Sequence, residues 1–594
     1  MFTINYQKRK NKEVLETLEQ KDMLFLSKTQ NYIPIYTRFF SLNETNYLNV
    51  NLNHPWYLLN VKENIPDNEY LYSCAIKNTF TNKIKTDTLV FFKLAPLLDP
   101  YKYLIGKYNS PETELFNLPN LQSTIKTVNP KFLDVNNSAY VDSFFVFLSC
   151  ILKNSYFFLH GIDYYGSFLS IKNNYKINVT DDIDFLSESD YFIKQQNILF
   201  NINNPDYLLP NKKIPIMIDY TSSLKSTFSI KSIDDELFEN VFEKTHIDLD
   251  DVKSYTLDLC DITNSKLITE KDKTTTLKTS STFSSRSSHT SSTISEEPQL
   301  NELDTEPQPV DNEPHENMCK EDDDAESTTD NTYSSESSGE DVEVTIYKFP
   351  VLVICMEQIE NTFDDYILNN ELSEEEWFAY LMQIIMILIT YQKVFSLTHN
   401  DLHTNNVMYN NTTIKYLYYC YNKKYYKVPT FGKIFKIIDF GRSIYKFNNK
   451  IFCSDSFNTN GDASTQYNTE PYFNENKPRL EPNFSFDLCR LACSIFDYVV
   501  DDIYEIKDLT KCDPIVKLIV EWCLDDRGVN LLYKNNGMER YPDFKLYKMI
   551  ARHVHNHTPQ AQLERKEFSS FSITHKKIPK NETIFNIDAL PILI

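Results

Sequence analysis

The sequence predicts an α+β chain in two parts, a mainly β first part and a mainly α second part, with a long insert between them. Three observations lead there. Residues 33–95 carry short aromatic and β-branched runs broken by Asn, Pro and Asp, the pattern of strands. Helical periodicity governs 373–396 and returns at 486–500, 514–524 and 540–556. Residues 264–345 between them turn Ser/Thr-rich and then acidic. Strands first and helices afterwards, without strict alternation, argue for segregated layers. At 594 residues the chain exceeds what one core holds, so two lobes with insertions are expected.

In chain order, Met1 to Gln20 is charged and polar, with no apolar core of a signal peptide. Thr88-Leu89-Val90-Phe91-Phe92-Lys93-Leu94 reads as a strand ending near a lysine. Residues 138–153 suit a mostly buried helix, and two further strands are expected at 156–160 and 166–172. Between Thr274 and Ser295, 16 of 22 residues are Ser or Thr, a composition that cannot offset its ordering entropy, so disorder is expected from about 264. Ser337 and Ser338 each have an acid three residues on, a pattern that suits phosphorylation by an acidophilic kinase. Val351 to Met356 is a continuous apolar strand ending at Glu357. Trp377 to Leu397 is the most apolar stretch. Its Gln383, Thr390, Gln392 and Lys393 make it a buried helix rather than a membrane span.

The net charge of −23 is concentrated locally. Residues 296–343 hold 18 Asp/Glu against one Lys, leaving about −6 for the rest. No basic stripe stands out, so nucleic-acid binding is not indicated. The 11 cysteines include no CxxC pair, and Cys489 and Cys493 suit core thiols, which fits a reducing compartment. A soluble, intracellular protein is expected. His553, His555 and His557 alternate, but their directions on a helix diverge and no further ligand completes a zinc site.

The chemistry lies in His399-Asn400-Asp401-Leu402-His403-Thr404-Asn405-Asn406 and in Asp439-Phe440-Gly441. One follows an apolar helix and the other the apolar strand Ile434 to Ile438. Together they read as a phosphoryl-transfer site. Asp401 would accept the proton of the attacking hydroxyl. Asn406 and Asp439 would give oxygen ligands to Mg²⁺, and Gly441 would permit the turn.

On these residues the chain resembles the eukaryotic-type protein kinase family, most of all the divergent serine/threonine kinases of giant DNA viruses. The likeness covers roughly 85–580. It implies a bilobal fold with a mainly β N-lobe and a mainly α C-lobe. The expected boundaries are 1–175 for the N-lobe with an extension, 176–345 for the insert, 346–360 for the last strand and hinge, 361–578 for the C-lobe and 579–594 for a tail. It implies ATP and Mg²⁺, with Asp401 as catalytic base, Lys93 on the α/β-phosphates, and Met356 and Glu357 as the adenine hinge. Asp487 would brace the catalytic loop. A viral source would place it in host cytoplasm or virion.

The departures are specific. No Gly precedes Gly106, so the glycine-rich lid is absent. Phe91 replaces the family's small Ala and, sharing a face with Lys93, should narrow the adenine pocket. Asn400 replaces an Arg that pairs with phosphorylated activation loops, and His403 replaces a Lys. The glutamate partner of Lys93 is not identifiable, Asp142 being the acid best placed. The Asp401–Asp439 interval contains an added hairpin, Ile414 to Val428, with Asn422-Lys423 at its turn. No Ala-Pro-Glu string follows. Three activities stay open: a kinase acting on Ser/Thr of protein substrates, a pseudokinase scaffold binding basic proteins through the acidic insert, and a small-molecule phosphotransferase.

Overall fold

The computed structural model describes residues 4–9, 11–66, 68–108, 112–203, 342–534, 537–542 and 544–594. Strands build the first part: β1 (Leu26–Gln30), β2 (Trp56–Asn64), β3 (Leu71–Asn78) and β4 (Ile84–Pro96), of which β3 is buried from Leu71 to Ile76 and β4 alternates in burial only around Val90 and Phe92. Helix α1 (Ser138–Tyr156) follows, capped at its start by the Asn137 side chain on the Ala139 amide. Phe157 ends it in the left-handed region at φ 60°. The chain then enters β5 (Tyr164–Asn178), and later β6 (Phe200–Ile202) and β7 (Glu343–Glu357).

These strands form one seven-stranded sheet in the order β1-β5-β7-β4-β3-β2, with β6 pairing β7. β7 sits between β4, from Val90↔Glu357 to Pro96↔Val351, and β5, from Tyr164↔Met356 to Asn178↔Glu343, both antiparallel. Its central position explains the unbroken apolar run at 349–356, all buried. Helix α1 packs against β5 and β7.

The second part is led by α2 (Glu374–Phe395), opened by a capping box between Ser373 and Glu376 and closed by Ser396 at φ 49°. Every residue from Trp377 to Phe395 is buried except Lys393, which is half-buried. Around α2 lie β8 (Val407–Asn411), the hairpin β9 (Tyr416–Tyr421) and β10 (Lys424–Pro429), β11 (Lys433–Ile437), α3 (Phe486–Val499), α4 (Pro514–Trp522) and α5 (Lys545–His553). The hairpin turns on Asn422 and Lys423, at φ 49° and 60°, as the two-residue turn requires. The architecture is therefore mixed, β-rich in its N-terminal region and helical later.

Three boundaries differ from the sequence expectation. No strand occupies 156–160: α1 reaches Tyr156, and turns fill the gap to Tyr164. The insert does not begin at 176, because β5 continues to Asn178 and two short helices lead to β6, which pairs with β7. The residues at 343–345 likewise belong to β7. Segment 579–594 is packed rather than a tail. Its strand β12 (Ile584–Asn586) runs parallel to β9, and the Leu593 amide donates to the Val394 carbonyl at 2.9 Å. The expected disorder from 264, and Ser337 and Ser338, lie outside the described residues. Among the described residues two stretches are long and apolar enough to cross a membrane, Pro130–Tyr156 and Glu374–Phe395, and both are mostly buried inside the protein.

Candidate active site

The site gathers where β4, α1, the loop before β8 and the loop after β11 meet. On β4, Val90 and Phe92 are fully buried while Phe91 and Lys93 share the other, half-buried face. Lys93 Nζ lies 2.7 Å from Asp142 Oδ2 of α1 and 3.0 Å from Asp439 Oδ1. Asp142 also accepts the Phe440 amide at 2.8 Å, so one buried carboxylate fixes both the lysine and the turn after β11. A buried acid of this kind is tolerated only when paired in this way. Burial opposes the Lys93 charge, but the two carboxylates outweigh it and raise its pKa. Burial likewise pushes Asp439 up, and Lys93 overcomes it, holding that carboxyl below its ordinary range. Burial raises Asp142, with Lys93 pulling it back.

The loop 398–406 is held from beneath by Asp487 of α3, which is fully buried. Its two oxygens accept the His399 and Asn400 amides, each at 2.9 Å. His399 Nε2 meets the Ile438 carbonyl at 2.9 Å, tying the loop to the end of β11. Asn400 and Asp439 both adopt the left-handed region, at φ 65° and 64°. Asn and Asp are the non-glycine side chains that best tolerate it, and such strain concentrates at functional loops. Asn400 is fully buried. It accepts the Tyr467 hydroxyl at 2.6 Å and donates to the Thr398 and Arg442 carbonyls, each at 3.1 Å.

Asp401 follows, its carboxylate contacted from two sides. Tyr547 of α5 donates its hydroxyl to Oδ1 at 2.7 Å, and Arg442 Nε lies 3.9 Å from Oδ2. Burial pushes this carboxyl up, yet Arg442, His403, Arg490 and the Tyr547 hydroxyl together hold it down at about 2. Asn406 donates its amide to the Asp401 carbonyl at 2.9 Å and to His403 Nε2 at 3.1 Å, which leaves His403 accepting and its proton on Nδ1. Burial accordingly depresses His403 to about 4. β8 pairs with β11 from Val407↔Ile437, and the Ile438 amide donates to the Asn406 carbonyl at 3.0 Å. Asn406 and Asp439 therefore leave neighbouring strand ends.

Asn406 and Asp439, the residues expected from sequence to bind Mg²⁺, each have an oxygen that a hard cation could take. Asn406 turns its amide nitrogen towards Asp401 and His403, directing its oxygen away from them. Asp439 keeps one oxygen without a protein hydrogen bond among the described residues. Mg²⁺ characteristically takes one or two such protein oxygens and completes its shell with phosphate and water. Among the described residues no group of three His, Cys, Asp or Glu is arranged to hold a metal. Two of the three alternating histidines have separate partners: His555 pairs with Asp526 at 2.6 Å and His557 with the Leu524 carbonyl at 2.8 Å.

Met356 and Glu357 end β7 beside β4. Glu357 does more than the sequence suggests. Its Oε1 receives Lys153 at 2.8 Å, Lys436 at 3.0 Å and the Asp163 amide at 2.7 Å, while its own amide donates to the Asp163 carbonyl at 3.0 Å. The Glu357 amide is thus engaged within the protein, and an adenine there would need another backbone group. The connection between β2 and β3 has no glycine, and Asn64 donates from its side chain to the Leu71 carbonyl at 3.1 Å across its base.

Sequence reasoning missed Tyr547, Arg490, Arg442 and the Glu357–Lys436 tie. Arg490 stands one turn after Asp487 and Arg442 directly after Gly441, so position gave a signal for both; nothing in sequence pointed to Tyr547. Two surface depressions, around Tyr103 and Tyr191 and around Cys420 and Asp588, lie away from these residues and hold none of them. No protein-family model matches the chain, and no curated protein matches it.

Proposed function

We propose that the protein is a divergent serine/threonine protein kinase. The observation that carries this reading is the chain Asp142–Lys93–Asp439 beside Asn406 and Asp401, with Asp487 bracing the loop between them. In this reading the seven-stranded sheet with α1 is an N-lobe, the region from 361 on is a C-lobe, and ATP binds between them.

Lys93 would hold the α/β-phosphates, with Asp142 in the role of the family's glutamate. Asn406 and Asp439 would hold Mg²⁺, which supplies charge neutralisation on the transferring phosphoryl group. Asp401 orients the acceptor hydroxyl. That oxygen bonds to the γ-phosphorus as the bond to the β–γ bridging oxygen breaks. ADP departs with the electron pair, and the hydroxyl proton passes to Asp401 and on to solvent. A carboxyl held at about 2 is ionised throughout the neutral range, as a hydroxyl-orienting acceptor must be. Catalysis is then positioning and electrostatics.

Two observations favour the pseudokinase alternative: Asp401 is engaged by Tyr547, and no glycine precedes Gly106 to form a phosphate lid. In that reading the acidic segment would recruit basic partners. The deciding experiment is labelled phosphate transfer from ATP to protein by purified full-length chain, beside Asp401→Asn. Wild-type transfer falling about 100-fold or more in the variant is expected; transfer unaffected by the substitution, or absent from both, removes the kinase assignment. An intracellular site of action, in host cytoplasm or virion, belongs to the same reading.

A further inference from the structure

Residues 34–40 lie outside every strand, between the β-rich core and α1. Pro34, Ile35 and Tyr36 are buried, and Pro34 opens a single helical turn, Pro34–Arg38. That turn delivers Arg38 and Phe39 to residues far away in the chain, the antiparallel hairpin Ile444–Phe447 and Lys450–Cys453 that follows Gly441. Phe39 stacks on two elements at once. Its ring centroid lies 4.8 Å from that of Phe144 on α1 and 5.9 Å from that of Phe452 on the hairpin, and the last two rings are 5.0 Å apart. Arg38 donates Nη2 to the Ile451 carbonyl at 2.8 Å, with its guanidinium carbon 4.1 Å from the Phe452 centroid. The Lys450 ammonium donates in return to the Arg38 carbonyl. Stacked rings attract beyond the area they bury, and a guanidinium over a ring adds to that attraction.

These contacts converge on the part of α1 that carries Asp142. Tyr445 of the hairpin donates its hydroxyl to the Val141 carbonyl at 2.9 Å, and its ring stacks on Phe452 with centroids 5.1 Å apart. Asp455, just past the hairpin, is buried. It accepts the Ser138 amide at 2.9 Å and Lys131 at 3.1 Å, while its own amide donates to the Asn136 carbonyl at 2.8 Å. The hairpin and its exit therefore grip α1 at Ser138 and at Val141. Phe39 adds a grip at Phe144, two residues past Asp142. Helix positions two apart point about 200° from each other. Phe39 thus backs the helix from the side away from Lys93.

We infer that residues 34–40 are a positioning brace: Phe39, seconded by Arg38, wedges α1 against the hairpin after Gly441 and so keeps Asp142 on Lys93. What that pair does with a nucleotide rests on the kinase reading; what holds it in place does not. With the brace seated, the acid meets its lysine at 2.7 Å in the unmodified chain.

The test compares the full chain with Phe39→Ala and with Phe39→Tyr, which keeps the ring. Hydrogen–deuterium exchange is read over residues 438–442, where the Phe440 amide bonds to Asp142, and over α2 as a reference. Mg·ATP affinity is then measured by calorimetry at a temperature where urea curves show each variant folded. Phe39→Ala should speed exchange at 438–442 about tenfold with α2 unchanged. It should also weaken Mg·ATP about fivefold, and Phe39→Tyr should restore both. A residue serving stability alone lowers the unfolding midpoint yet leaves the folded chain's affinity at its wild-type value. That result overturns the inference, as does unchanged exchange, or a Phe39→Tyr variant as impaired as Phe39→Ala. If Phe39→Ala does not fold, Arg38→Met decides by the same readings: faster exchange at 438–442 with Mg·ATP about threefold weaker supports the brace, and either value unchanged overturns it. Wild type that binds no Mg·ATP, while the variant still loosens 438–442, removes the kinase reading and leaves the brace. Wild-type binding that the variant retains in full removes the brace and leaves the kinase reading.

Discussion

Two of the lysine–carboxylate clusters among the described residues, around Glu357 and around Lys93, are built to different ends. Around Glu357, two lysines and Asp163 converge, and Lys436 also donates to the Gly161 carbonyl at 2.5 Å and to Leu159 at 3.3 Å. Around Lys93, Asp142 is equally deep, but Asp439 is not. The Lys436 side chain is 3% exposed and that of Asp439 28%. The first cluster ties the end of α1, β7 and β11 with backbone groups that cannot leave. The second has a member at the surface of the site, with an oxygen to give. Burial with saturated partners makes a tie; burial with one open edge makes a site.

The largest break in that comparison is Lys436→Ala. Removing one partner from a buried pair costs about 3–5 kcal/mol, and urea unfolding should show it. Unchanged stability would mean the tie is ornamental. Next is Asp439→Ala, in which Lys93 keeps Asp142. Mg·ATP stabilisation should vanish, a loss of about 2.7 kcal/mol at a hundredfold excess over Kd, and a thermal shift of wild-type size would deny Asp439 its role. The smallest concerns pH. Asp401 has a folded-state pKa of about 2 against an ordinary 3.8, so its contribution is complete above about pH 4 and is lost as pH falls towards 2. That difference is worth about 2 kcal/mol. Between pH 5 and pH 2, Asp401→Asn should lose that much less stability than wild type; parallel curves would contradict the assignment.

Much of this was legible beforehand, for physical reasons. Long periodic segments such as 373–396 and 486–500 declared themselves, because burying one face imposes a repeat. The turn at Asn422-Lys423 was readable since two consecutive left-handed residues need such side chains. Asp142 was reachable from sequence as the acid on the helix after Lys93. The strand expected at 156–160 failed because the aromatic run Tyr156-Phe157-Phe158 looks extended, whereas Phe157 caps a helix. Tyr547 was invisible because its partner Asp401 lies 146 residues away, and no local pattern encodes such a meeting. Glu357 was legible as a strand end but not as an ion-pair acceptor, since Lys153 and Lys436 reach it from distant elements.

The pairing of β5 with β7 carries one more implication. The two strands are aligned from Tyr164↔Met356 to Asn178↔Glu343, yet residues 204–341 separate them in the chain. The ladder that unites the molecule therefore does not depend on covalent continuity through that interval. Two separately synthesised pieces, ending at 203 and beginning at 342, would each carry one side of a long zipper. Co-expressed, they should reassemble into one particle, and a tag on either should bring the other with it.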